Sequence, residues 1–198
     1  MLAPVRVSPP ATTPVSLDEA KAHLRVIERD GDGNALPFED DALITAFITA
    51  AVDHLDGWSG ILGRALVTQT WRQDFDQFGC LRLPLSPVAS ITKIEYVDGD
   101  NALQTLADTV YTHHTDARGT YVALKPGQSW PTVYSRPDAV SVTYVAGTAA
   151  ADVPAALKAA ILLHVGQLYE RREAAGEAQT DIPFGYYALV ARYRRIDV

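Results

Sequence analysis

The residues best suited to chemistry are few and scattered. Asp30, Asp32, Asn34 and Asp41 stand at positions 1, 3, 5 and 12 of a calcium-loop pattern, the oxygen-rich spacing a hard cation requires. The pattern breaks at Ala35, where the sharp turn needs glycine, and at Pro37 inside the loop, so the segment reads as an interhelical turn. Five histidines, at positions 23, 54, 113, 114 and 164, show no HExxH spacing and no zinc-type pairing with cysteine. His23 and His164 fall on helical stretches as packed or surface residues. His113 and His114 are adjacent in a β-type stretch, which points them to opposite faces.

Nucleophilic chemistry is no better served. Trp58-Ser59-Gly60 and Gly127-Gln128-Ser129 lack a base nearby in sequence, and no Walker loop, nucleophile elbow or dinucleotide-binding glycine pattern occurs. Asp74 and Asp76 share one strand face and offer a carboxylate pair, but the expectation is an exposed acidic edge that discourages sheet-to-sheet aggregation. The reading is therefore of a protein that is not an enzyme and needs no cofactor or metal. The suggestive constellation lies at the C-terminus, where Phe184, Tyr186, Tyr187 and Tyr193 interleave with Arg192, Arg194 and Arg195, next to Ile196. Tyrosine and arginine are what protein interfaces enrich. The competing readings are a nucleic-acid arm, disfavoured by three arginines beside Asp197, and a terminal helix packed on its own core.

The chain that must position these residues has 198 residues, 47% of them apolar and 21% charged, which suits one globular unit with a sizeable core. Seventeen basic against 24 acidic residues give a net charge of −7, the wrong sign for gripping phosphate backbones. The surplus is uneven: residues 1 to 152 hold 11 basic and 19 acidic side chains, residues 153 to 198 hold 6 and 5. One cysteine, Cys80, allows no internal disulfide and suits a reducing compartment. No apolar run approaches the ~20 residues of a membrane helix, and MLAPVRVSPP has no signal core, so a soluble protein without a membrane partner is expected.

Residues 1–15, with four prolines, are expected to form an extended, irregular arm. Ser16 and Glu19 form a capping-box pair, and Leu17, Ala20, Leu24 and Ile27 predict a helix ending near Arg29. A second helix starts near Asp40, with Leu43, Ile44, Phe47, Ile48, Ala51, Val52 and Leu55 on one stripe, which another helix must cover. After Gly63 the period changes to two, predicting strands over 65–75, 90–97, 120–124 and 139–145 in one antiparallel sheet inserted between helices. Leu157, Ala160, Ile161, His164, Val165 and Leu168 predict the helix that partners the second, and a polar loop then leads to a short terminal helix over 186–193. The expected fold class is α+β, a bundle of about four helices over 16–64 and 152–181, with a β domain inserted over 65–148 and a terminal segment over 182–198. Trp58, Trp71, Trp130 and nine tyrosines also raise a carbohydrate-binding module, although Trp71 and Trp130 are expected in the sheet core.

The blocks Gly63-Arg64-Ala65-Leu66-Val67-Thr68-Gln69-Thr70-Trp71, Leu81-Arg82-Leu83-Pro84, Pro126-Gly127-Gln128-Ser129-Trp130-Pro131, Arg136-Pro137-Asp138-Ala139-Val140 and Ile182-Pro183-Phe184-Gly185 occur in that order. With the Tyr and Arg ending, the chain from about residue 16 onward resembles the head-tail connector (adaptor) family of long-tailed phages, and is similar to the adaptor of bacterial gene transfer agents. The proline-rich arm and the acidic 30–34 loop depart from that family. The resemblance implies a structural virion protein assembled in the bacterial cytoplasm. It implies a homo-oligomeric ring, commonly a dodecamer, under the portal protein and above the next neck (stopper) protein, with DNA passing through the lumen without tight binding. It also implies that residues 182–198 reach the portal, with Phe184, Tyr186, Tyr187, Arg192, Tyr193, Arg194, Arg195 and Ile196 as the portal interface. A stopper or tail-completion subunit one ring lower is the alternative within the same biology. Acidic or neutral lumen walls would let DNA slide.

Overall fold

The structure, a computed structural model, describes residues 2–171 and 184–195. It is an α+β fold, as expected: among the described residues, four α-helices pack beside two antiparallel sheets.

Helix formation follows local signals. In α1 (Leu17–Leu24) the Ser16 side chain accepts the Glu19 N–H and the Glu19 carboxylate accepts the Ser16 N–H, so both halves of the capping box are made. Arg25 ends the helix in the left-handed region (φ 61°), one turn earlier than apolar spacing through Ile27 suggests. In α2 (Asp41–Leu55) Ile44, Ile48, Ala51, Val52 and Leu55 are buried, while Leu43 and Phe47 are half-buried. Their cover is α3 (Ala155–Glu170), which buries Leu157, Ala160, Ile161 and Val165. The last helix, α4 (Phe184–Ala191), packs on α3 through Tyr186 and Val190, one turn apart.

The arm is extended but not irregular. Val5–Ser8 forms β1, which pairs antiparallel with β2 (Gln69–Phe75), so the sheet draws on residues outside 65–148. The prolines account for the difference, since Pro4, Pro9 and Pro10 bracket a short strand that survives only at a sheet edge. Between Leu81 and Ala146 lie β3 (Leu81–Leu83), β4 (Val88–Val97), β5 (Leu103–Leu106), β6 (Tyr111–Asp116), β7 (Gly119–Leu124) and β8 (Val140–Ala146). They form two sheets where one was expected: five strands in the order β1-β2-β8-β4-β5 and three in the order β3-β7-β6. Every ladder is antiparallel.

Two apolar clusters result. One lies among the helices, the other lies between the sheets around Trp71, Phe75, Leu83, Ile94, Val122, Val142 and Tyr144. Where the chain leaves β8 for the helices, Gly147 sits at φ 100° against the Val67 carbonyl, leaving no room for a Cβ. A parallel bridge between Val67 and Thr148 closes that junction.

Candidate functional site

The calcium-type residues are committed to local structure. The Asp30 carboxylate accepts the N–H groups of Asp32 (3.0 Å) and Asn34 (2.8 Å) and the Asn34 amide (3.2 Å), bonds that hold its pKa below the usual carboxylate range, the Asn34 backbone foremost. A bridge from Arg29 to Ala35 makes the loop a small hairpin. Asp41 turns elsewhere, to Lys21 Nζ at 2.8 Å and the Phe38 N–H at 3.0 Å, which lower its pKa in that order. Lys21 is itself buried and donates to the Leu36 carbonyl at 2.8 Å, so this pair fastens α1 to the start of α2. Among the described residues, no group of three or more His, Cys, Asp or Glu side chains could hold a metal ion.

Asp74 and Asp76 are not an exposed acidic edge. Asp74 is 6% exposed on β2, a strand flanked by β1 and β8. It pairs with Arg72 at 3.1 Å and accepts the Ser141 hydroxyl at 2.7 Å, while Asp76 lies exposed beyond the strand end. The tryptophans offer no row of sugar platforms: Trp71 is buried and Trp130 stacks on Phe78, centroids 4.7 Å apart, leaving Trp58 exposed. His113 and His114 occupy successive, exposed positions of β6. His54 and His164 meet edge to face across α2 and α3 at 5.3 Å.

A buried acid that the sequence does not advertise sits where helices, sheet and arm meet. Asp56 caps the C-terminus of α2, 6% exposed. Its carboxylate accepts the Leu66 N–H at 2.6 Å and both oxygens accept the Gln69 amide, at 3.0 and 2.9 Å. Arg6 on β1 approaches to 3.9 Å and lays its guanidinium over Trp71. Burial raises the Asp56 pKa despite these bonds. Beside it the arm and α2 enclose a groove of about 610 Å³ lined by Pro9 to Pro14, Thr49 and Asp53. In sequence Asp56 precedes Gly57 like any solvated acid at a helix end, so nothing local signals its burial.

The C-terminal constellation divides into anchor and display. Tyr186 is fully buried, its ring against His164 (5.8 Å), His54 (6.4 Å) and Tyr187 (5.7 Å), and burial pushes its pKa up to about 12. Tyr187, next along the helix, is 49% exposed. Arg192 is exposed with its guanidinium 5.0 Å over the Tyr193 ring, which packs partly on the helical core. Arg194 is exposed, and the Arg195 N–H donates to the Leu62 carbonyl at 2.9 Å, tying the chain end to the turn after α2. Phe184 opens α4, but its side chain and Ile196 lie outside the described residues, as does the loop expected over 173–181.

That tie creates a cleft. Arg192 to Arg195, Arg64 after α2, and the β6–β7 hairpin from Thr115 to Thr120 enclose about 580 Å³, floored by Leu83, Ser86, Pro87 and Val88. Arg64 and Arg118 thus join the C-terminal arginines, although they lie 128 and 74 residues before Arg192 in the chain. The hairpin is braced by Arg82, which donates to Asp116 through Nη1 and Nη2 at 3.0 and 2.7 Å and holds the Asp116 pKa down at about 2.

No described helix is long and apolar enough to cross a membrane. No protein-family model and no curated protein matches the chain. Solved structures do. A chain in the virion of a native gene transfer agent (GTA) particle is 25% identical, with a TM-score of 0.72, covering 100% of this chain and 97% of that one. A chain in the neck of the empty GTA particle, computed with C6 symmetry, is 23% identical with a TM-score of 0.75 and the same coverages. A chain in the native neck, computed with C12 symmetry, is 23% identical with a TM-score of 0.72, again covering 100% and 97%. The likeness includes the proline-rich arm, and from end to end this chain has the fold of a chain found in gene transfer agent necks.

Proposed function

We propose that the protein is a structural neck subunit of a phage-like gene transfer particle, an adaptor that forms a ring beneath the portal and surrounds the DNA passage. The observation that carries this reading is the end-to-end likeness to particle chains, covering 97% of each. The C6 and C12 symmetry of the matching necks supports a closed ring, which repeated copies of one head-to-tail contact generate. A net charge of −7 suits a conduit that does not retain DNA.

In this reading 16–64 with 152–181 is the ring-building unit and 65–148 the added domain. The portal-facing surface is the displayed side of the C-terminal segment, Tyr187, Arg192 and Arg194, flanked by Phe184, Tyr193, Arg195 and Ile196. Tyr186 serves as the anchor beneath them. A stopper or tail-completion subunit one ring lower differs in touching no portal.

Deleting residues 182–198 is a poor test, because it strips Tyr186 and Val190 from the helical core. The discriminating experiment is cryo-electron microscopy of purified particles, with co-purification of the portal by full-length protein and by Tyr187→Ala combined with Arg192→Ala. A ring against the portal and loss of portal with the double variant are expected. A chain absent from the neck refutes the structural role, and a neck ring that touches no portal refutes the adaptor position.

A further inference from the structure

We infer that the arginine cleft between the end of α4 and the β6–β7 hairpin is a docking site for an acidic segment of the portal-side neighbour, with the β domain supplying its second wall. This rests on the portal-contact reading and adds to it the chemistry of the partner and the participation of a distant part of the chain.

Arg64, Arg118, Arg192, Arg194 and Arg195 line about 580 Å³. Five of 17 basic side chains therefore converge on one cleft of a chain with a net charge of −7. Among the described residues, the one carboxylate lining it, Asp116, is already held by both terminal guanidinium nitrogens of Arg82. Among the described residues, Arg64, Arg192 and Arg194 form no ion pair with a carboxylate. Arg64 is in addition drawn out of water, which disfavours its charged form and lowers its pKa. Holding the like charges of Arg64, Arg192 and Arg194 around one cleft is unfavourable without an anion, and a guanidinium fork matches a carboxylate in two parallel bonds.

Protein carboxylates fit better than phosphates. A duplex is held by many phosphate contacts along a basic track, whereas here five arginines cluster in one cleft of an acidic chain. The walls also carry Leu83, Pro87, Val88 and the Tyr193 ring under Arg192, the mixture of apolar, tyrosine and arginine surface typical of protein interfaces.

The test uses the full-length chain and portal rings from the same particle, at low and high salt. The variants are R192E/R194E, at two exposed positions, and Ala117→Glu at the exposed hairpin tip on the opposite wall. Unchanged thermal melts establish that each is folded. Wild-type binding that weakens with salt, falls roughly tenfold or more in R192E/R194E and roughly threefold in Ala117→Glu is expected. Equal portal binding by wild type and variants overturns the cleft and with it the portal-facing role of Arg192 and Arg194, leaving only the portal contact itself standing, whereas wild type that binds no portal sinks both readings. If the charge reversals instead abolish retention of a short DNA duplex without affecting the portal, the cleft is a phosphate site and the inference is wrong.

Discussion

The helical core and one face of β2 are both buried, but by different chemistry. Between α2, α3 and α4 the buried positions are aliphatic apart from Tyr186, and any similar apolar set on the same stripe would fill the space. On β2, by contrast, the alternate positions Gln69, Trp71 and Gln73 are all buried, and Gln69 reaches Asp56 at the end of α2. Apolar filling supplies stabilisation with little direction. A buried amide-to-carboxylate contact is directional, so a strand slipped by one residue loses it at once.

Four experiments press on this contrast, in order of expected effect. Ile161→Ala, in the centre of the helical core, should cost about 3 to 4 kcal/mol in urea unfolding, and a cost below about 1 would mean that core is loosely packed. Asp56→Ala should cost about 2 to 3 kcal/mol, because the Leu66 N–H and Gln69 amide lose their acceptor inside the protein. Asp56→Asn should be far milder, since Asn keeps an acceptor for Leu66, and Gln69, whose own carbonyl oxygen is unpartnered among the described residues, can turn over to receive the new amide. The folded pKa of Asp56 is raised, so its contribution is full below the unfolded value of 3.8 and is lost as pH rises through the folded one. The difference between the two should therefore shift in favour of Asn as pH rises from acid to neutral; a pH-independent difference would contradict the raised pKa of Asp56.

Third, Lys21→Met should cost about 1 to 2 kcal/mol, since the stem stays packed while the bonds to Asp41 and Leu36 go. Asp41 has a lowered folded pKa, so its stabilisation is present above 3.8 and lost as pH falls through the folded value. The variant should flatten that acid limb, and an NMR titration should find Asp41 moved upward. The smallest effect belongs to Arg82→Ala: the pair with Asp116 is exposed, so no resolvable change in Tm is expected, only a rise of the Asp116 pKa from about 2. A Tm drop of several degrees would show that the hairpin depends on that brace.

Legibility from sequence follows the same division. The stripe from Ile44 to Leu55 and its cover from Leu157 to Val165 announce themselves by period, and the capping box at Ser16 fixes where α1 begins. β3 and β5, at three and four residues, are too short to establish a period, and β1 is masked by its prolines. The burial of Asp56, Asp74 and Lys21 depends on partners that the fold brings from Gln69, Ser141 and Leu36, and no window around each residue contains that information. The C-terminal Tyr and Arg cluster is visible as composition. Its division into a buried Tyr186 and a displayed Tyr187 requires knowing which side of α4 meets α3, and Arg64 and Arg118 join it only through the fold.

β1 occupies the flank of β2 with four residues and then meets Pro9 and Pro10, which cannot extend the ladder. It thereby works as a plug. Were the arm lifted away, one edge of β2 would present unsatisfied backbone groups beside a newly uncovered Trp71, a template for any passing strand. Protection of that edge thus hangs on a segment of the chain that contributes almost nothing to its core.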